Sequence, residues 1–308
     1  MKTDIKKLIS QMTLEEKAGL LSGGDFWHTK AVERLGIPAV MLSDGPHGLR
    51  KQEGESDHLG LYDSIPATCF PSACATASSF DTSLLEHLGD TLGNQCQAED
   101  ISVLLGPGVN IKRSPLCGRN FEYFSEDPYL TGVCACEIAK GVQQNHPVLV
   151  CPKHFAVNEQ ETFRRGSTKK NYDAVDSILR EQAARELYLK PFEMLVRDAD
   201  IACLMTSFNK INGVFAGGNA DLCTRILREE WGFQGVVVTD WGDMDVVVDG
   251  ADAVAAGNDV VMPGGPPVIA QILNGYEQGR VTRTDMEKAV ANLLTMIARC
   301  TVKQGEAK

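Results

Sequence analysis

An aspartate at the end of an apolar run is the residue best suited to covalent or acid–base chemistry. The run Val236–Thr239 is followed at once by Asp240, Trp241 and Gly242. A carboxylate at the end of a buried strand is held rigidly and can act as a nucleophile or a base. Because the apolar face of a sugar ring packs well on an indole, the Asp240–Trp241 pair suits a glycoside. The alternative is an aspartate that only caps the following loop.

Polar side chains follow other apolar runs as well. Asp44 begins the sequence Asp-Gly-Pro, and an ionised carboxylate can accept hydrogen bonds from two neighbouring sugar hydroxyls. Since Asp-Gly-Pro is also a common turn sequence, a turn-forming role is the alternative. Lys153 and His154 end another run and carry hydrogen-bond donors, although such a pair is more often structural. The remaining cationic candidates are Arg113, Arg119, Arg164 and Arg165.

The sequence patterns of other catalytic classes are missing. No pair of histidines forms an HxH or HExxH motif, and the six histidines are His28, His47, His58, His87, His146 and His154. There is no P-loop, and no serine lies in a GxSxG elbow. A metal-dependent barrel hydrolase is therefore a minor alternative, which metal analysis of the purified protein would test.

These candidates must be positioned by secondary structure. Seven runs, each apolar on both faces, are predicted as strands of a buried parallel sheet. The runs are Ala39–Ser43, Cys69–Ser79, Ser102–Leu105, Val148–Cys151, Ile201–Thr206, Val236–Thr239 and Val260–Met262. Helix-like segments alternate with them, no GxGxxG follows the first strand, and polar residues cluster at the strands' C-terminal ends. We therefore predict an α/β fold, a (β/α)8 TIM-type barrel that is irregular or incomplete, with about seven clear strands.

Several helices have recognisable start signals. The segment Thr13–Glu16 matches a capping box, and Asp127 precedes a proline at the first helical position. Asp81, Asp221 and Asp285 are predicted to begin three further helices. The apolar stripes of these helices indicate core packing.

Composition limits the classes of partner. The chain has 30 basic and 41 acidic residues, a net charge of −11, which argues against nucleic acid and anionic membranes as partners. No apolar run approaches the roughly 20 residues of a membrane span. The ten cysteines include no CxxC pair, and no signal peptide is visible, so we expect reduced thiols and a cytoplasmic protein. Without a visible linker, we expect one domain over 1–308.

Five segments together carry a family resemblance. They are Ser43–Arg50, Leu105–Pro128, Lys153–Arg164, Ser207–Gly213 and Gly232–Trp241. In this order and over almost the whole chain, they resemble the N-terminal barrel of family 3 glycoside hydrolases, in particular the β-glucosidase branch. Five matches in the right order are specific, whereas any one alone would be weak.

The resemblance implies roles for individual residues. Asp240 corresponds to the catalytic nucleophile, and Trp241 forms the wall beside it. The residues implied to hold the nonreducing-end sugar are Asp44, Arg119, Lys153, His154, Arg164 and Met205. The implied reaction is hydrolysis of a β-glucoside or oligosaccharide with retention, through a glycosyl-enzyme and a second carboxyl group that acts as acid and then base. No metal or organic cofactor is implied.

The chain departs from the family pattern in three respects. In the β-glucosidase branch the acid/base glutamate belongs to a following α/β sandwich domain, which we expect to be absent here and supplied by a longer protein or a second chain. The N-acetylglucosaminidase branch uses a loop histidine instead, but 155–166 contains none. An acid within the chain would be Glu159 or Glu161. Phe208 replaces the usual tyrosine, whose hydroxyl would bind the nucleophile, and a loop around 166–172 is longer than usual.

Two functions from different classes therefore stay open. One is a β-glucosidase-type enzyme that is completed by a second domain or chain. The other is a non-catalytic or weakly active sugar-binding barrel. The Asp240–Trp241 pair favours the enzyme, whereas Phe208 and the missing acid favour the binding protein. The sequence does not separate glucose from xylose or galactose.

Overall fold

The fold is that of a computed structural model, in which residues 4–52, 54, 56, 62–166, 174–242 and 247–306 are described. The long loop predicted around 166–172 lies almost wholly outside these ranges. No helix within them is long and apolar enough to cross a membrane. The ten cysteines are all free thiols.

The strands are short and mostly parallel. They are β1 (Leu42–Asp44), β2 (Val103–Leu105), β3 (Leu149–Val150), β4 (Asp176–Ser177), β5 (Cys203–Met205), β6 (Lys210–Ile211), β7 (Val214–Phe215) and β8 (Val236–Val238). One parallel sheet has the order β1-β2-β3, and a second pairs β5 with β8, placing Cys203 opposite Val236. The third sheet joins β4, β6 and β7, and its β6–β7 pair is antiparallel.

Helices lie before, among and after these strands along the chain. They are α1 (Ile5–Gln11), α2 (Leu14–Leu20), α3 (Ala73–Ala77), α4 (Thr82–Ala98), α5 (Pro128–Gln144), α6 (Glu181–Ala183), α7 (Lys190–Asp198), α8 (Gly250–Ala256), α9 (Pro266–Glu277) and α10 (Arg283–Glu306). Segments with π-helical hydrogen bonding follow α6 and precede β8, at Ala184–Tyr188 and Asp221–Glu230. Short 3₁₀ turns lie at Glu33–Leu35 and Ala216–Gly218.

The predicted helix caps are largely confirmed. Thr13 and Glu16 form the reciprocal capping box of α2, with bonds of 2.9 and 3.2 Å. Asp81 caps α4, and Asp127 caps α5 by accepting from the Leu130 amide at 2.8 Å. Each carboxylate or hydroxyl satisfies an amide that has no partner within the helix.

Three element predictions need correction. The run Cys69–Ser79 is not a strand, since its alanine-rich part forms α3, and alanine has the highest helix propensity. Asp285 lies in the first turn of α10 and bonds back to Thr282, so the helix begins before it. The helix predicted to open at Asp221 has π-type hydrogen bonding, and the Leu222 amide is bound by Asn219.

The parallel strands do not form one closed sheet in the described residues. Five of the predicted strands are present in shorter form, as β1, β2, β3, β5 and β8. Val260–Met262 takes part only through single bridges, from Val260 to Val238 and from Val261 to Ser22. Another single bridge links Phe155 to Thr206. The predicted alternation of parallel strands and helices is confirmed as a mixed α/β fold.

The core explains why the strand runs are apolar on both faces. All residues of β2, β5 and β8 are buried. The predicted stripe of α10, which includes Met286, Val290 and Leu293, is buried against the same core. Because the parallel strands point the same way, their C-terminal ends lie at one edge of the core.

Candidate active site

The C-terminal ends of the parallel strands carry the predicted site residues. Asp44 ends β1, Met205 ends β5, Lys153 follows β3, and Asp240 follows β8. A pocket of about 870 Å³ opens among them. All eight residues predicted from the sequence line it: Asp44, Arg119, Lys153, His154, Arg164, Met205, Asp240 and Trp241.

Asp44 and Lys153 form an ion pair in the pocket wall. Lys153 Nζ donates to Asp44 Oδ1 at 2.6 Å, and Arg50 lies 3.8 Å from the other carboxylate oxygen. Burial would raise the pKa of Asp44, but Lys153 together with Arg50 and Arg119 outweighs it, and the pKa is lowered. Burial would likewise lower the pKa of Lys153, but Asp44 raises it. Both side chains are therefore charged at neutral pH.

His154 is held as a neutral imidazole. Its pKa lies well below the usual range because it is buried and because Arg119, Lys153 and Arg164 are nearby cations. Arg119 lies 2.9 Å from Nε2 and Tyr123 lies 3.1 Å from Nδ1. Since a guanidinium cannot accept a hydrogen bond, Nε2 must be the acceptor, and the proton is on Nδ1.

Asp240 has a different environment from Asp44. The Trp241 amide donates to its Oδ1 at 2.8 Å, whereas Oδ2 is buried and accepts no hydrogen bond from the described residues. The nearest cation to Oδ2 is Nη1 of Arg164 at 3.7 Å, and His154 Nε2 is 4.0 Å away. Burial raises the pKa of Asp240. The positive charges of Arg164 and Arg119 lower this pKa, but they offset the effect of burial only in part.

The indole beside Asp240 is fixed by its own contacts. Trp241 Nε1 donates to the carbonyl oxygen of Phe26 at 2.7 Å. Its ring lies 5.7 Å from that of Trp27, tilted by 34°. Together with buried Met205, these rings form the apolar part of the pocket wall. A sugar ring has an apolar face that matches such a wall.

Two glutamates in the pocket each bind one of its arginines. Glu122 accepts two hydrogen bonds from Arg119, at 3.1 and 2.7 Å. Glu161 lies 3.0 Å from Arg164 Nε and also accepts from Asn158 at 3.0 Å. This bidentate and networked pairing fixes the direction of both guanidinium groups.

Part of the pocket lining was not predicted from the sequence. Trp27, Arg50 and Glu122 line the pocket but were not proposed as site residues. Arg50 and Glu122 lie inside the segments that carry the family resemblance, so their position was a usable signal. Trp27 lies in a loop with no strand-end pattern, and only the fold brings it to Trp241.

Glu159 lies outside this pocket, although the sequence makes it a candidate acid. It lines a separate cavity of about 120 Å³ together with Arg113, Asp176 and Tyr188. Burial raises its pKa to about 8. Of the two candidate acids, only Glu161 is in the pocket. No cluster of three His, Cys, Asp or Glu side chains suited to a metal ion occurs where the chain is described.

Comparisons with known proteins show which sequences the chain is similar to. The chain is 49% identical over 298 residues to thermostable beta-glucosidase B of Acetivibrio thermocellus, covering 96% of this chain and 38% of that protein. It is 43% identical to an exo-alpha-(1->6)-L-arabinopyranosidase of Bifidobacterium longum, covering 94% and 37%. The chain thus spans less than two-fifths of the length of these curated relatives.

Solved structures show the same relationship. The beta-glucosidase of Kluyveromyces marxianus in complex with glucose superimposes with a TM-score of 0.89 at 37% identity, covering 99% of this chain and 35% of that one. Beta-glucosidase 3B of Thermotoga neapolitana in complex with alpha-D-glucose gives 0.86 at 35% identity, covering 98% and 43%. The profile of the glycosyl hydrolase family 3 N terminal domain matches residues 16–296. The chain therefore belongs to glycosyl hydrolase family 3, as an N-terminal domain of that family.

Proposed function

We propose that this chain is the nucleophile-bearing part of a retaining β-glucosidase that acts on nonreducing-end β-D-glucosyl residues. The observation that carries the proposal is the pair of unlike carboxylates in one pocket. Lys153 holds Asp44 charged, so Asp44 can accept hydrogen bonds from hydroxyls. Asp240 has an oxygen without a hydrogen bond among the described residues, so its lone pairs are not committed.

In this proposal the glucosyl unit is held by polar side chains and by the indole wall. Asp44 accepts hydrogen bonds from two neighbouring hydroxyls, and Lys153 donates to a hydroxyl next to them. Arg119, His154 and Arg164 line the same pocket as Asp44 and Asp240, with Met205 and Trp241 as apolar surfaces. Bidentate and charge-assisted bonds of this kind fix the orientation of a sugar.

The reaction then follows two displacements. Asp240 attacks the anomeric carbon while the bond to the leaving oxygen breaks, and an acid protonates that oxygen. Water, deprotonated by the same acid/base group, then displaces Asp240 and releases the sugar with retention. Arg164, 3.7 Å from Asp240 Oδ2, favours the charged nucleophile.

We propose that the acid/base carboxyl comes from outside these residues, from a second domain or a second chain. Glu122 and Glu161 line the pocket, but both are engaged by arginines. The relatives are more than twice the length of the chain, which leaves room for such a domain in a longer protein.

We further propose that the parallel strands approximate the family's (β/α)8 barrel. The single bridges Phe155–Thr206, Val238–Val260 and Ser22–Val261 join the edges of the two parallel sheets and support this. His28 is bridged to Met41, next to β1, which carries the ring back to the first strand. Hydrogen-exchange protection of these bridging amides, comparable to that of β2 and β8, is the expected result.

A sugar-binding protein without turnover is the second candidate. The observation that favours it is Phe208, which lines the same pocket as Asp240 but has no hydroxyl group that could donate a hydrogen bond. Release of nitrophenol from an aryl β-glucoside, measured beside a glucose titration, separates the two functions. Turnover that is lost in Asp240→Asn supports the enzyme, and glucose binding without any turnover supports the binding protein.

The same assay also tests which sugar the pocket accepts as the glycone. Because one relative is an arabinopyranosidase, the aryl glycoside panel should include α-L-arabinopyranoside beside β-D-glucoside, β-D-xyloside and β-D-galactoside. We propose β-D-glucoside as the preferred substrate, since the relatives include several β-glucosidases. Faster hydrolysis of the aryl α-L-arabinopyranoside than of the β-D-glucoside would make the arabinopyranoside the preferred substrate instead.

We propose a cytoplasmic location, supported by ten free thiols, seven of which are buried. Fractionation of cells that produce the protein, with one cytoplasmic and one exported marker, tests this. Recovery with the exported marker would contradict it.

A further inference from the structure

The guanidinium groups of two arginines lie over one buried aromatic ring. The guanidinium carbon of Arg164 lies 5.0 Å from the centre of the Phe208 ring, and that of Arg165 lies 5.6 Å from it. Phe208 itself is only 2% exposed. Both distances are within the range of a cation–π contact, and burial strengthens such contacts.

The polar partners of Arg164 do not explain its direction toward Asp240. Its hydrogen-bond partners in the described residues, Glu161 and Asn158, lie in the same loop as Arg164 itself. That loop follows β3, whereas Phe208 follows β5 and Asp240 follows β8. Apart from the ion pair with Asp240 itself, the Phe208 ring is thus the contact among the described residues that ties Arg164 to the β5–β8 side of the pocket.

We propose that Phe208 is a positioning residue that holds the Arg164 guanidinium against the carboxylate of Asp240. The attraction between the ring and the cation holds Arg164 where its Nη1 lies 3.7 Å from Oδ2 of Asp240. The catalytic meaning of this contact rests on the proposed function, but the contact itself does not.

Other charges around Asp240 must be included in any test. Arg119 and Lys153 act on it as further cations, and His154 lies 4.0 Å away as a neutral ring. The charge of Asp240 also contributes to the raised pKa of the buried Cys151 thiol. None of these groups contacts Phe208 through a ring or a hydrogen bond in the described residues, so a change of Phe208 acts on Asp240 mainly through Arg164.

The test is the pKa of Asp240 itself, measured by ¹³C NMR of protein labelled at the aspartate carboxyl carbon. The signal is assigned by its loss in Asp240→Asn. The four proteins compared are the parent, Phe208→Leu, Phe208→Tyr and Phe192→Leu. Phe192 is a fully buried ring that packs on Phe155, and no arginine lies over it among the described residues, so it controls for the loss of a buried ring.

Phe208→Leu should raise the pKa of Asp240 by ~0.5–1 unit, because a neighbouring cation that lowers the pKa is released. Phe208→Tyr keeps the ring and should not raise the pKa, and Phe192→Leu should leave it where it is in the parent. An unchanged pKa in Phe208→Leu, or an equal rise in Phe192→Leu, would overturn the proposal. Since no turnover is needed, a failed glucosidase assay would count against the proposed function and not against this contact.

Discussion

At the scale of single residues, the Asp44–Lys153 pair bears on both the stability of the fold and the proposed binding of the sugar. Lys153 is 6% exposed as a side chain, so its charge is stabilised mainly by the carboxylate beside it. The same carboxylate is the proposed acceptor for two sugar hydroxyls. Stability and sugar binding therefore depend on one group and must be separated by experiment.

The first prediction uses Asp44→Asn, alone and with Lys153→Met. Asp44→Asn should weaken glucose binding by about 1.5–3 kcal/mol, the range for hydrogen bonds to a charged group. It should also lower the free energy of unfolding by about 1–3 kcal/mol, because Lys153 is left buried without a counter-charge. Calorimetric titration and urea unfolding measure the two effects.

The double variant is the control for this prediction. It removes the unpaired ammonium and should recover most of the unfolding free energy, but it should not recover glucose binding. If the double variant binds glucose as the parent does, Asp44 has only the turn-forming role.

The second prediction concerns Glu159, the buried glutamate outside the pocket. In the unfolded chain its carboxyl group loses its proton near pH 4.3, whereas in the folded protein burial raises the pKa to about 8. The folded state therefore binds more protons between these values, and stability falls as pH rises through that window. Glu159→Gln removes this titration while keeping the shape.

Urea unfolding at pH 5 and pH 8.5 tests this prediction. The free energy of unfolding of Glu159→Gln should increase relative to that of the parent as pH rises, by about a few kcal/mol at most. The same difference between the two proteins at both pH values would mean that Glu159 is not buried as a neutral acid.

At the scale of elements, local signals predicted the helices better than they predicted the strands. The caps at Thr13, Asp81 and Asp127 depend on side chains within three residues of the helix, so the sequence contains the whole interaction. The run Cys69–Ser79 is apolar in either state, and only its alanines favour the helix that forms. The bridges at Val260 and Val261 depend on partners far along the chain, which periodicity does not identify.

The third prediction belongs to helix α5. Asp127→Ala should lower the free energy of unfolding by ~1 kcal/mol, because the Leu130 amide loses its acceptor. Glu126→Ala is the matched control, since Glu126 is an exposed neighbour outside the helix. Urea unfolding should show no more than about half a kcal/mol for that change. If the two substitutions lower the free energy of unfolding equally, Asp127 does not stabilise α5 as an N-cap.

At the scale of the whole molecule, strand ends and motif order were enough to predict eight residues that share the pocket, but not the whole lining. The sequence could not show that Arg119 is held by Glu122, or that Phe208 carries two arginines, because these contacts depend on side-chain geometry. Nor could it place Glu159 and Glu161 in different cavities, although they are two residues apart.

The fourth prediction follows from the acid/base group that we place outside the chain. General acid catalysis contributes typically 10²–10⁴-fold, and it matters most for basic leaving groups. The 308-residue chain should therefore release dinitrophenolate from its β-glucoside slowly and should leave cellobiose essentially uncut. The measured quantity is the ratio of the two rates in a homogeneous preparation.

Cellobiose cleavage at a normal enzyme rate would contradict this prediction. An acid/base would then lie within the chain, and Glu161 would be the first candidate because it lines the pocket. The substitution Glu161→Gln should in that case suppress cellobiose cleavage more strongly than dinitrophenyl glucoside cleavage.

The assignment of Asp240 as nucleophile is the central claim, and covalent labelling tests it most directly. A dinitrophenyl 2-deoxy-2-fluoro-β-glucoside needs little help from an acid, and its fluorine slows the breakdown of the glycosyl-enzyme. After incubation and proteolysis, mass spectrometry should find one added fluoroglucosyl group, on the peptide that contains Asp240, and none in Asp240→Asn. A label on any other carboxylate, or the same label in Asp240→Asn, would contradict the account.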